Sequence, residues 1–178
     1  MNEVVGLLRR QRMAVLLGFL LWFGSLAVGA VLGHGRADGL EVRPAQAGAS
    51  LWWSVFSANA GVALLAFGGL LTMGVVTVLF SLVSGTLTGL GLGKALAVAG
   101  PATMALRVLP HALLELPAIA LAVAAGLVPL VAAVRRLVGS SRPRPLVRDL
   151  LVDSVGLLGV ALTLIFLAAT IETWVSTL

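Results

Sequence analysis

His111 and Glu115 are four residues apart, a spacing that puts both side chains on one face of a helix. Glu172 and Asn59 are the other polar side chains of catalytic type inside strongly apolar surroundings. Ionisable groups in such places are costly and usually have a task. One imidazole and two carboxylates form an adequate ligand set for Zn²⁺ or another divalent cation, with one position left for water. In that chemistry His111, Glu115 and Glu172 are the metal ligands. Glu115, Glu172 and Asn59 are the catalytic candidates, the carboxylates as acid or base and the amide as a group that orients water or polarises a carbonyl. The zinc-protease pattern His-Glu-x-x-His is absent. Three readings stay open: a metal or acid–base centre, a hydrogen-bonded network that holds broken helices together, and the lining of a transport path.

The elements that hold these residues must cross a membrane. Of 178 residues, 60% are of the AVILMFWYC set, 21 are Gly, only 11% are charged, and the mean hydropathy is +1.10. A soluble domain carries about 25% charged residues, so this chain has too few to cover a water-exposed surface. The same numbers exclude disorder. There is no cysteine, which excludes disulfides and thiolate metal sites. The expectation is an all-α, polytopic transmembrane bundle: a single domain over 1–178 with about five spans and a broken or re-entrant helix. The net charge of +5 comes almost wholly from arginines at the edges of apolar runs. They suit anionic lipid head groups rather than nucleic acid.

The spans are expected near 13–33, 51–71, 73–93, 110–134 and 150–175. A single helix over 51–93 would measure about 65 Å, twice the roughly 30 Å hydrocarbon core, so two crossings are needed there. The turn at Thr72-Met73-Gly74 carries no charge, and a re-entrant hairpin is the alternative. Residues 95–106 are too short to span and read as an interfacial or packed half-helix. Gly85, Gly89 and Gly93 form a small-residue row suited to close helix packing. Asp149 and Asp153 are expected to cap the last span and to pair with Arg148 or its neighbours. The tryptophans read as interface anchors, Trp22 less well than Trp52, Trp53 and Trp174.

Arginines at 9, 10 and 12 and again at 135–148 decide the orientation. Five crossings put both groups in the cytoplasm, with the N-terminus inside and the C-terminus outside an inner, cytoplasmic membrane; four would not. Counted from the outer ends, Asn59, Ser84, Glu115 and Glu172 then lie about 8–14 Å deep, so four helices bring polar groups to one level. Pro110 suits a helix start, which places His111 in the first turn. Glu172 near a helix C-terminus is at the unfavourable end for an anion and calls for a cation or a shared proton.

Leu-Pro-His-Ala-Leu-Leu-Glu-Leu-Pro-Ala-Ile at 109–119 resembles the Pro-His-Gly-x-x-Glu-x-Pro-Ala signature of the stage II sporulation protein M family. Phe56-Ser57-Ala58-Asn59, Ser84-Gly85 and the Ala169–Val175 segment with Glu172 are similar to further family motifs. Ala112 stands where the family usually has Gly, and Ser84 where it has Asn. The resemblance covers most of 51–178 and implies a multi-pass envelope protein. It implies a part in cell-wall remodelling, or in maturation of bacteriocin-type peptides beside an ATPase subunit. The partners left open are the lipid bilayer, a peptide substrate, a membrane or ATPase partner reached through the Arg142–Arg148 loop, and a second copy of the chain. The alternatives are a metal-dependent intramembrane hydrolase, a peptidase in kind, and a permease-like subunit driven by a separate ATPase.

Overall fold

The computed structural model describes residues 2–36, 47–139 and 146–174. Among them the structure is all helix: α1 (Asn2–Arg10), α2 (Arg12–Gly33), α3 (Ala49–Phe67) with a 3-10 turn at Gly68–Thr72, α4 (Val75–Arg107), α5 (Leu109–Leu137) and α6 (Val147–Trp174). Five of these segments are long and apolar enough to cross a membrane: α2, α3 with its 3-10 extension, α4, α5 and α6. The five expected spans are therefore present. Asp38 and Glu41, the Arg142-Pro143-Arg144-Pro145 stretch and the last residues from Val175 lie outside the described residues.

Helix α5 is the central pillar, packed against α2, α3, α4 and α6. Every residue from Ala118 to Val128 is buried, and six of the eleven are Ala or Gly. Small side chains on all sides let four neighbours approach one helix at once, which is how helices associate where lipid removes the hydrophobic drive between them.

The contacts also settle which way each helix runs. Gly85 faces Trp22 and Ser25, Gly89 faces Leu26 and Ala30, and Gly93 faces Ala30 and Gly33, so α2 and α4 are parallel. A side chain on Gly89 would overlap the Leu26 carbonyl, and one on Gly29 the Thr86 carbonyl. The glycine row does the packing expected of it. Gly126 faces Thr77 and Ala66, while Gly74 faces Leu127 and Leu130, so α5 runs against α4. Asp153 reaches Arg10 and His111 meets Glu172, so α6 runs with α2. Trp52 bonds Thr170, so α3 runs against α6. Directions alternate through the five long apolar helices, and α3 and α4 are antiparallel neighbours joined by a hairpin. The hairpin between them is tight, with Met73 in the left-handed region at φ 51° and the Thr77 hydroxyl donating to the Ala66 carbonyl at 2.5 Å. The bundle thus has an amino end, where α2 begins, and a distal end, where α2 and α6 finish.

Three expectations change. Residues 95–106 are not a separate half-helix. The helix of the third span continues from Val75 to residue 99, and the chain reverses at Gly100, whose φ of 76° and ψ of 161° are glycine's territory. Pro101 follows, and residues 101–107 lead into α5 through Val108, which keeps helical angles. Helix α5 starts at Leu109 with Pro110 among its first residues and His111 in its first turn, as expected. Trp22 is no interface anchor but is fully buried against Gly85. Asp149 does accept the Leu146 amide near the start of α6, yet Asp153 pairs with Arg10 and Gln11 instead of Arg148. That pairing exists because α1, a basic helix that hydropathy alone does not reveal, folds against α6 with Leu7 over Gly156.

Candidate functional site

Three of the four candidate residues meet at the distal end. His111 stands in the first turn of α5, Glu115 one turn further along, and Glu172 two residues before α6 leaves the described chain. The antiparallel pairing of α5 and α6 brings residues from far apart in sequence to one height. His111 Nε2 is 4.0 Å from Glu172 Oε2, and one donor atom from each of the three lies within 4.8 Å of the other two. The His111 side chain is 13% exposed and that of Glu172 31%. Among the described residues no Lys or Arg forms an ion pair with Glu115 or Glu172.

Zinc with bonds of roughly 2.0–2.2 Å sets its donors a little over 3 Å apart. The three atoms here would close by about an ångström or more, which rotation of two glutamate side chains can supply. The donor set therefore fits a divalent cation chemically. Its partial exposure leaves an approach for a fourth ligand, as a catalytic rather than a sealed site needs. Pro117 has no amide to bond the Leu113 carbonyl, so α5 loses a hydrogen bond at the height of the cluster.

Asn59 is on α3, half-buried, and makes no hydrogen bond to the three among the described residues. The Trp52–Thr170 bond fixes the register of α3 on α6, and Asn59 is seven residues past Trp52 toward the amino end. It is thus about two turns, roughly 10 Å, deeper than that bond. Ser84 on α4 adjoins Gly85, which faces Trp22 and Ser25 in mid-bundle, deeper than the cluster as well. The four-helix common level is in fact a two-helix cluster, because equal counts from the helix ends ignore how far each helix projects.

Counting polar residues by depth missed the seat of Glu172. Trp52 Nε1 donates to Thr170 Oγ1 at 3.2 Å, and the Thr170 hydroxyl donates to the Phe166 carbonyl at 2.9 Å. The Trp52 ring stacks on Phe56 with centroids 5.2 Å apart and meets Phe166 edge-on at 5.2 Å. This aromatic block clamps α3 to α6 two residues from Glu172. The signal was present in the sequence as a Trp with Phe four residues on, the spacing of one helix face.

The family model described as stage II sporulation protein M matches residues 13–177. The chain belongs to the stage II sporulation protein M family. No curated protein and no solved structure matches it. Within this family member the Pro-His…Glu-Leu-Pro motif lies where α5 enters the bundle, and the Glu172 segment closes on it from α6.

Proposed function

We propose that this stage II sporulation protein M family protein works at the outer face of the inner membrane, in cell-envelope remodelling or peptide maturation. Its working centre is the His111–Glu115–Glu172 cluster, which takes a divalent cation, zinc being the best match to one nitrogen and two oxygen donors. Held by His111, Glu115 and Glu172, such a cation would supply the activation of water for hydrolysis of an amide-type bond. The observation that carries the reading is the convergence of the three donor atoms within 4.8 Å from two helices. Two carboxylates brought together in a low-dielectric place repel each other, and a doubly charged cation offsets that repulsion. Support for the outer face comes from charge: Arg9, Arg10, Arg12, Arg135, Arg136 and Arg148 gather at the amino end, and the positive-inside rule places that end in the cytoplasm.

Metal analysis of protein purified without chelators tests the centre. Stoichiometric zinc in the native chain, lost in both His111→Ala and Glu115→Gln, is the expected result. No metal in the native chain, or metal kept by both variants, overturns the cation reading.

A further inference from the structure

Helix α1 has two unlike faces. At about 100° per residue, Leu7, Val4, Leu8 and Val5 follow one another around one side, and Glu3, Arg10, Gly6 and Arg9 take the other. One edge of the apolar side is used within the protein: Leu7 rests on Gly156, and Leu8 is partly covered by the core. Val4 and Val5 stay 40% and 46% exposed.

The contacts fix how α1 lies. A straight continuation of α2 would carry Leu7 about 6 Å outward from Gln11. Instead Arg10 and Gln11 reach Asp153, while Leu7 rests on Gly156, nearly one turn further into the bundle. The bend falls at Gln11, whose ψ of 19° leaves the helical range. Helix α1 therefore lies across the flank of α6 and does not project from the end of the bundle. Its depth follows from α6. Asp153 and Trp174 stand on that helix about 31 Å apart at 1.5 Å per residue, close to the thickness of the hydrocarbon core. Trp53 and Trp174 are exposed at the distal end, where such rings mark one boundary of the bilayer. The level of Asp153, and α1 with it, is the other boundary.

We propose that α1 is an in-plane anchor in the leaflet at the amino end, with Val4 and Val5 among acyl chains and Arg9 and Arg12 on the phosphates of anionic phospholipid. A short helix with an apolar side and a basic side, held at the polar–apolar boundary, has that leaflet as its chemical complement. Arg10 is engaged by Asp153, but Arg9 borders Val5 on the helix surface and Arg12 opens α2 just past the bend, both of them exposed. Glu3, the acidic residue of α1, is on the side away from Val5. None of the metal-centre residues takes part, so failure here would leave the cation reading untouched.

The chain has no cysteine, so Val5→Cys and Glu3→Cys, each carrying one fluorophore, report opposite sides of α1. Both replace exposed side chains. The full chain is placed in vesicles of phosphatidylglycerol and phosphatidylcholine in equal amounts, with bromine on the acyl chains of one lipid or of the other. The label at position 5 should be quenched by brominated chains and spared by aqueous iodide, and the label at position 3 the reverse. Quenching at position 5 should be stronger when phosphatidylglycerol carries the bromine. Arg9→Gln and Arg12→Gln should each lower that local preference roughly fivefold. Iodide reaching position 5 would overturn the anchor. Shielding of position 5 from both quenchers would mean that a protein surface covers it, and would overturn the lipid assignment. Equal quenching by the two lipids, or a preference unchanged in both arginine variants, would overturn the choice of head group.

Discussion

The two ends of the bundle each gather charged side chains, and they do so in opposite ways. At the amino end Asp153 is met by Arg10 Nη2 at 2.8 Å, by Arg10 Nε at 3.4 Å and by Gln11 Nε2 at 2.7 Å. The Asp153 carboxylate in turn raises the Arg10 guanidinium further above its ordinary pKa by accepting its hydrogen bonds. Both Asp153 carboxylate oxygens accept hydrogen bonds from side chains within the chain. At the distal end two carboxylates and an imidazole share a space with no arginine or lysine paired to either glutamate among the described residues. The first cluster is satisfied by its own side chains, and the functional proposal is attached to the second, where three possible ligand atoms converge.

Both ends depend on the close packing between them, so the largest effect should come from breaking it. Gly126→Leu pushes a side chain into Thr77 and the Ala66 carbonyl. Overpacking of a core costs about 1–3 kcal/mol where neighbours can shift, and backbone atoms cannot. The expected outcome is loss of monodisperse, folded protein by size exclusion and circular dichroism, with both ends lost together.

Asp153→Ala should separate the ends. It strips Arg10 and Gln11 of their acceptor and is expected to lower stability by about 2 kcal/mol in thermal unfolding. Trypsin should then cut at Arg9 and Arg10 while zinc binding at the distal end persists. Because the Arg10 side chain is 61% exposed, Arg10→Ala should have the smaller effect, below about 1 kcal/mol.

Neutralisation at the distal end should have the opposite sign. Glu115→Gln removes one of two crowded carboxylates, and the chelated protein should gain about 1 kcal/mol. If the proposed centre binds zinc, added zinc should raise the melting temperature of the native chain, and the same variant should lose that rise. Destabilisation in chelator would make the cluster a fastening like the other and erase the contrast. The smallest effect is expected from Trp52→Phe, which keeps the ring packing and removes the bond to Thr170, at about 0.5–1 kcal/mol. Zinc affinity should fall with it if Trp52 seats Glu172, and trypsin sensitivity at the amino end should not change.

Much of this was legible before any coordinates. Long charge-free runs bounded by arginines locate the five spans, since the membrane imposes a length and an apolar composition on each segment separately. The glycine row in α4 announced a close neighbour, though not that the neighbour is α2 in parallel. His111 and Glu115 belong together by helical spacing alone. Joining Glu172 to them took a topology argument, which succeeded because α5 and α6 are adjacent and antiparallel. The same argument put Asn59 and Ser84 at that level and failed, because α4 runs on past its expected end to residue 99 and α3 sits on α6 in a register set by Trp52 and Thr170.

Composition, periodicity and local spacing are properties of single segments, and they determined the membrane class, the number of crossings and the His111–Glu115 pair. Which helix is central, where Gly100 reverses the chain, how α1 reaches Asp153 and which glutamate completes the distal cluster are properties of pairs of segments. Those were decided only when small residues let particular helices approach, since a contact energy has no value until the packing chooses the partner.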